Sequence, residues 1–297
     1  MSMADPSRPR AGYAVAIFGS CSAVQLARLL TTVTHLRATG TQFPIVAMVA
    51  RSCATDSTLR AELASESLDV AVVEPIERAR CSGKKKPKAD RRAQYYEQLF
   101  TKLHLWSLTQ YDALLYLDSD VAVVRPIDSV LRTMLREPRY KEVRTGQGCL
   151  PTHASMRYVN TGVWGIRPSH EVHTKLLDFV ASGRSSCVDG DQSAIEEFSK
   201  YRQRSEVLQL HTGYNMKGGR TFAMRTITDC LRRQSLNESD VHVVHWAGGI
   251  KPEQLITEKM ADPIERLAHE SYMREYRQRL RGLSATPLGQ RENAMKE

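Results

Sequence analysis

The chain has 297 residues, 41% of them hydrophobic and 25% charged, with a formal net charge of +9 at pH 7. This composition fits a globular fold with one main domain and excludes a disordered or fibrous chain. No apolar run approaches the roughly 18 residues that span a bilayer, so no membrane partner is expected.

Residues 1–11 read as a disordered lead. Tyr13–Phe18 is a short apolar run suited to a buried strand, and a helical stretch follows from Ala23 to Ala38. Pro44–Ala50 is a second strand, Asp56–Ser65 a helix and Val70–Val73 a third strand. This β-α-β-α-β alternation predicts a mixed but mostly parallel sheet flanked by helices, an α/β fold of Rossmann-like type. A basic loop over 79–90 leads into a helix predicted from Arg92 to Thr109, with Leu99, Phe100, Leu103, Leu105 and Trp106 as core positions. Ala113–Leu117 is a strand running straight into Asp118-Ser119-Asp120, and Val121–Val124 stays apolar until Pro126. Helices are predicted at Asp128–Arg136, at His170–Ser182 and from Asp189-Gly190-Asp191-Gln192 to Lys200. Val207–Leu210 and Val241–Trp246 are further strands, and from Ile264 the chain reads as one amphipathic helix with a polar end. The main domain is placed at 12–260 and the C-terminal helix and tail at 261–297.

The positive excess is concentrated in Arg78–Arg92 and Arg274–Arg291. Such runs are usually solvated faces, and aromatic residues are sparse around both, so no nucleic-acid partner is expected. An anionic substrate such as a nucleotide diphosphate accounts for the charge equally well. The six cysteines, Cys21, Cys53, Cys81, Cys149, Cys187 and Cys230, include no C-x-x-C pair. They predict a reduced, cytoplasmic protein in which the Asn237-Glu238-Ser239 sequon goes unused.

Three clusters carry chemistry. Asp118 and Asp120 end an apolar strand, where ligands bind in open α/β sheets, and two carboxylates at i and i+2 can approach one hard divalent cation. His245 ends another apolar strand before Gly248-Gly249-Ile250-Lys251. A neutral imidazole ligates manganese-like ions, the glycines let backbone amides approach a phosphate, and the lysine adds a point charge. His242, three positions earlier on that strand, should face the other way. Asp189-Gly190-Asp191-Gln192 is either a helix cap or a polar cluster for sugar hydroxyls, and spacing leaves both open.

In order along the chain, Phe100–Tyr111, Leu117–Asp120, Asn160-Thr161-Gly162-Val163, Asp189–Gln192 and His245–Pro252 resemble glycosyltransferase family 8, and within it the glycogenins and galactinol synthase-type members. The resemblance implies a GT-A type domain that uses manganese, or magnesium in its place, and retains anomeric configuration. It implies that Asp118, Asp120 and His245 hold the metal and that Ser119 lies with them against a UDP-sugar. Lys251 and the Gly248 turn would hold the diphosphate, with Lys102 over the diphosphate and sugar. Asn160 and Asp191 would bind sugar hydroxyls, and Gln192 would lie near the anomeric carbon. Retention by a covalent intermediate on Asp191 and retention by front-face attack are both compatible with it. The implied donor is UDP-glucose or UDP-galactose and the acceptor a protein, a glycan or a polyol, with a homodimer compatible. The segment Phe18-Gly19-Ser20-Cys21-Ser22-Ala23 departs from the family in lacking a base-stacking tyrosine. Phe222 follows Tyr214-Asn215 near where a glycogenin carries its self-glucosylated tyrosine, so self-glucosylation there is not expected. The alternative function is a non-catalytic nucleotide-sugar binder or polysaccharide scaffold. Retention of the metal triad and of Asp191-Gln192 favours the enzyme.

Overall fold

The computed structural model describes residues 10–19, 21–76, 99–145, 159–186, 190–199, 206–218, 226–247, 251–255, 257, 260 and 262–294. The basic loop 79–90, Tyr96, Asp189, Phe222, Gly248 and Cys81, Cys149 and Cys187 lie outside them. The first strands, β1 (Ala11–Ile17), β2 (Ile45–Ala50) and β3 (Asp69–Val73), alternate with α1 (Ala23–Ala38), the short α2 (Arg51–Ala54) and α3 (Ser57–Ser65). After a 3₁₀ segment at Thr101–Ser107 come β4 (Ala113–Leu117), β5 (Val121–Val123), α4 (Asp128–Arg136), β6 (Glu142–Thr145) and β7 (Val163–Ile166). Then follow α5 (His170–Ala181), α6 (Asp191–Phe198), β8 (Val207–Leu210), β9 (Met216–Lys217) and α7 (Ile227–Arg233). The chain continues through β10 (Val243–His245), α8 (Pro263–Ser284) and α9 (Pro287–Ala294).

The main sheet has the order β3-β2-β1-β4-β7-β6-β8. Its first four strands are parallel, β7 runs antiparallel between β4 and β6, and β8 is parallel to β6. Side chains alternate across this sheet and fill two cores. Tyr13, Val15, Ala47 and Leu115 face α1 and α8 on one side. Ala14, Val46, Met48, Leu114 and Tyr116 face Phe100, Trp106 and Trp164 on the other. Because both faces are covered, β1, β2 and β4 read as continuous apolar runs. Trp106 and Trp164 meet edge to face with ring centroids 4.7 Å apart, which locks the 3₁₀ segment onto the sheet.

A second sheet of three strands, β5-β10-β9, stands beside the first. In its antiparallel pairing His245 lies opposite Val121, the residue after Asp120. The Trp246 N–H donates to the Asp120 carbonyl at 3.1 Å, which extends the pairing past the acidic turn.

Several expectations need correction. Over its described part, the predicted Arg92–Thr109 helix is α-helical at Leu99 and Phe100 and then tightens to a 3₁₀ segment at Thr101–Ser107. Its apolar spacing secured burial but not the helix type, because tertiary packing of Leu103, Leu105 and Trp106 decides that. The strand predicted at Val241–Trp246 shrinks to Val243–His245. β1 begins inside the expected lead, and the Arg10 N–H donates to Asp112 at 2.7 Å. The C-terminal region forms two helices, broken before Pro287 because proline disfavours helical backbone in the residue ahead of it. The longer of them, α8, packs along α1, where Arg279 bonds Thr34 at 2.8 Å and pairs with Glu66. Among the described residues no helix is long and apolar enough to cross a membrane.

The cysteines are not all reduced. Cys21 and Cys53 form a disulfide, and Cys230 is disulfide-bonded as well. Cys21 follows β1 and Cys53 follows β2. These strands are parallel neighbours, so their C-terminal ends bring the two Cα atoms to 5.2 Å. Thirty-two residues of sequence separation hid that proximity.

Candidate active site

The site forms at the C-terminal end of β4, beside the second sheet. Asp118 leaves the strand with its backbone N–H donating to the Gly162 carbonyl at 2.8 Å, which holds the acidic turn against the start of β7. The Tyr272 hydroxyl of α8 donates to the Ser119 carbonyl at 2.7 Å and supports the turn from the other side. Thr32 of α1 adds a hydroxyl hydrogen bond of 3.1 Å to the Val121 carbonyl.

Each aspartate has one oxygen held by a lysine. The Lys102 Nζ donates to Asp118 Oδ1 at 2.7 Å, and the Lys251 Nζ donates to Asp120 Oδ2 at 2.6 Å. The remaining oxygens face His245, whose Nε2 lies 3.3 Å from Asp120 Oδ1 and 3.8 Å from Asp118 Oδ2. One ligand atom from each of these three residues lies within 4.8 Å of the other two. This donor set, two carboxylate oxygens and one imidazole nitrogen around a common point, fits a divalent cation of the manganese or magnesium class.

Gly162 makes the arrangement sterically possible. A Cβ there would stand 2.1 Å from the His245 Cε1, so only glycine lets the imidazole reach the carboxylates. His242 points away from the cluster, bonding the Pro126 carbonyl and stacking on Tyr214 with centroids 4.3 Å apart.

The expected sugar-side residues converge on the same place. Gly190 adopts a φ of 63°, a backbone that glycine reaches without strain, and turns the chain into α6. That turn buries Asp191, which accepts from the Thr161 hydroxyl at 2.7 Å and lies 3.7 Å from the Lys102 Nζ. Asn160 donates to Gln192 Oε1 at 2.9 Å. Lys102 thus bridges the acidic turn and Asp191 with only 5% of its side chain exposed.

The electrostatics follow from burial and these pairings. Burial pushes the Asp120 carboxyl upward, but the hydrogen bond and charge of His245 and the Lys251 ammonium outweigh it and hold the group well below the usual carboxylate range. Burial would lower the Lys102 pKa, yet Asp118 and Asp191 raise it above the usual lysine range. Asp191 is raised by burial, against the opposing pull of Lys102 and Thr161. Tyr116 is raised by burial and by Asp118, to which its hydroxyl donates at 3.0 Å.

A cavity of about 150 Å³ opens beside the acidic turn, between the ends of β1 and β4. Ile17 and Phe18 form its apolar wall, and Lys102, Asp118, Asp120 and Lys251 its polar one. Gln25 and Arg28 of α1 also line it, and Gln25 Oε1 and Arg28 Nε are buried without a hydrogen-bond partner. These two, with Tyr116 and Thr161, were not picked out from the sequence. Tyr116 had a signal, as the one polar-tipped residue in the ALLYL run, whereas Gln25 and Arg28 read as ordinary helix positions.

The sequence profile described as glycosyl transferase family 8 matches residues 22–253. The chain belongs to that family. Among curated proteins, glycogenin-1 of Caenorhabditis elegans is 30% identical over 154 residues, which is 52% of this chain and 32% of that protein. Human glycogenin-1 is 26% identical over 58% of this chain and 45% of its own length. The match therefore spans less than half of these relatives. Among solved structures, the glycosyltransferase GlyE of Streptococcus pneumoniae TIGR4 superposes with a TM-score of 0.58 at 16% identity, over 95% of this chain and 64% of that one. An active-site mutant of LgtC superposes with a TM-score of 0.52 at 15% identity, over 93% of this chain and 97% of that one. The family 8 chain thus has the GT-A fold expected from its sequence blocks.

Proposed function

We propose that this family 8 chain transfers a hexosyl group from UDP-glucose or UDP-galactose, with retention of configuration, to a hydroxyl of a protein, glycan or polyol acceptor. The observation that carries the proposal is the convergence of Asp118, Asp120 and His245 with Lys102, Lys251 and Asp191, of which Lys102, Asp118, Asp120 and Lys251 line one cavity. A donor needs its diphosphate neutralised and its sugar held, and these groups supply both functions side by side.

Asp118, Asp120 and His245 would hold a divalent cation, which as a Lewis acid stabilises the charge that develops on the departing diphosphate. Lys251 and Lys102 add fixed positive charge at the same point and need no reorganisation during the reaction. The ionised state of Asp120 suits a metal ligand. Asp191, buried and bonded by Thr161, would accept hydrogen bonds from sugar hydroxyls, with Asn160 and Gln192 as its neighbours in that role. Gln25 and Arg28 line the cavity beside Ile17 and Phe18 and would add polar character on the donor's side. Tyr214 is stacked on His242, and no hexose is expected on it.

The test is hydrolysis of UDP-glucose and UDP-galactose by the purified chain with manganese, and again with EDTA. The expected result is release of UDP with manganese only. The Asp120→Asn variant should lose at least about 100-fold in rate, the scale of removing one electrostatic stabiliser. Equal rates with manganese and EDTA, or an unimpaired Asp120→Asn variant, contradict the assignment.

A further inference from the structure

We infer that Asn215 is a positioning residue for the metal centre, and that a hydrogen-bond relay through it fixes the orientation of both His245 and Gln192. The inference rests on the metal reading given above and extends it to a residue that touches neither metal nor substrate.

The direction of every bond in the relay follows from backbone groups that can only donate or only accept. The Gly162 backbone N–H donates to Asn160 Oδ1 at 3.0 Å, and the Thr161 N–H donates to Gln192 Oε1 at 3.3 Å. These oxygens are fixed by backbone donors, so the Asn160 amide nitrogen is the end that bonds Gln192 Oε1, at 2.9 Å. Asn160 Oδ1 then accepts a second hydrogen bond, from the Asn215 Nδ2 at 2.8 Å. The Thr145 hydroxyl donates to the Val163 carbonyl at 2.8 Å, so its oxygen accepts from the Asn215 Nδ2, also at 2.8 Å. Both hydrogens of the Asn215 amide are thereby committed, and its Oδ1 is the atom that meets His245 Nδ1 at 2.8 Å. An amide oxygen only accepts, so Nδ1 carries the imidazole hydrogen.

Two consequences follow at opposite ends of the relay. With Nδ1 committed as a donor, Nε2 is the atom that points at the gap between Asp118 and Asp120, and as a neutral imidazole it would offer a cation there the lone pair a metal ligand requires. Gln192 has its oxygen turned inward to Asn160 and Thr161, so its amide nitrogen is the outward end. Asn215 is 2% exposed and Thr145 is fully buried, so water does not compete for these bonds. An outer partner of this kind commonly sets metal affinity through the ligand it orients.

The experiment measures Mn2+ binding to the full chain by calorimetry with no nucleotide present, for the parent, Asn215→Ala and Asn215→Asp. Circular dichroism and the thermal midpoint report whether each variant folds. Asn215→Ala should bind Mn2+ about 10–100-fold more weakly. Asn215→Asp still offers His245 an acceptor, so its Mn2+ affinity should stay within about threefold of the parent, whereas it can no longer donate to Asn160 and its kcat on UDP-sugar should fall about tenfold or more. This split between metal affinity and turnover is what a merely structural role would not produce. Parent-like Mn2+ binding by Asn215→Ala overturns the proposal, as does loss of Mn2+ binding in a folded Asn215→Asp. If Asn215→Ala does not fold, Asn215→Ser takes its place with the same expectation. A parent that binds Mn2+ but hydrolyses no UDP-sugar overturns the donor reading alone, and a parent that binds no Mn2+ overturns the role of Asn215.

Discussion

Replacing Gly162 by alanine tests the geometry of the proposed metal cluster with a single methyl group. The new Cβ would sit 2.1 Å from the His245 Cε1 and must open to at least 3.4 Å, a displacement of about 1.3 Å. The glycine cannot yield easily. Its N–H is bonded to Asn160 and its carbonyl accepts from Asp118, so moving the backbone disturbs two other site residues. The imidazole must therefore move, and it is 3% exposed with Asn215 behind it. Misplacement by about 1 Å in such a site costs on the order of 100-fold in rate, and overpacking a buried position costs about 1–3 kcal/mol. The assay is paired: Mn2+ affinity by calorimetry and the rate of UDP-sugar hydrolysis, with a denaturant melt for stability. Gly162→Ala should lose about 100-fold in rate and measurably in Mn2+ affinity while remaining folded. If the variant keeps parental affinity and rate, His245 is not held where the cluster requires it, and the metal assignment fails.

Three further outcomes are expected. Lys102→Met leaves Asp191 buried without its cation and should cost about 3–5 kcal/mol of stability. The Asp191 pKa is already raised by burial, so the loss should be larger at pH 8 than at pH 5; a pH-independent loss in urea melts would contradict this. Reducing the Cys21–Cys53 bridge, which closes 32 residues, should destabilise the chain by about 3–4 kcal/mol in the chain-entropy account, and Cys53→Ser should then be insensitive to reductant at that site. Burial, with the nearby charges of His104 and His170, pushes the His173 pKa down to about 4 from its ordinary 6.5. Below pH 6.5 the unfolded chain gains a proton that the folded one refuses, so stability should fall between pH 6.5 and about 4, with a shallower slope in His173→Gln. Superimposable pH profiles for parent and variant would rule out that role.

The first half of the sheet was legible from local pattern alone, because strands buried on both faces must be continuous apolar runs, and YAVAI, IVAMVA and ALLYL are such runs. Local pattern also marked Asp118 and Asp120, since two carboxylates ending an apolar strand stand out without any long-range information. His245 was visible as a strand-end histidine before a glycine turn, but its partnership with the aspartates rested on resemblance. The tertiary structure supplies that partnership through the pairing of His245 with Val121 across β10 and β5, a register no local pattern encodes. The antiparallel insertion of β7, the 3₁₀ form of Thr101–Ser107 and the Cys21–Cys53 bridge were likewise decided by neighbours remote in sequence. Asn215 illustrates the division most clearly. In sequence it is one polar residue after a tyrosine, and its place between His245, Asn160 and Thr145 exists only once three separate strands and turns are brought together. Residue types are chosen locally, but the direction of a hydrogen bond depends on every donor and acceptor around it.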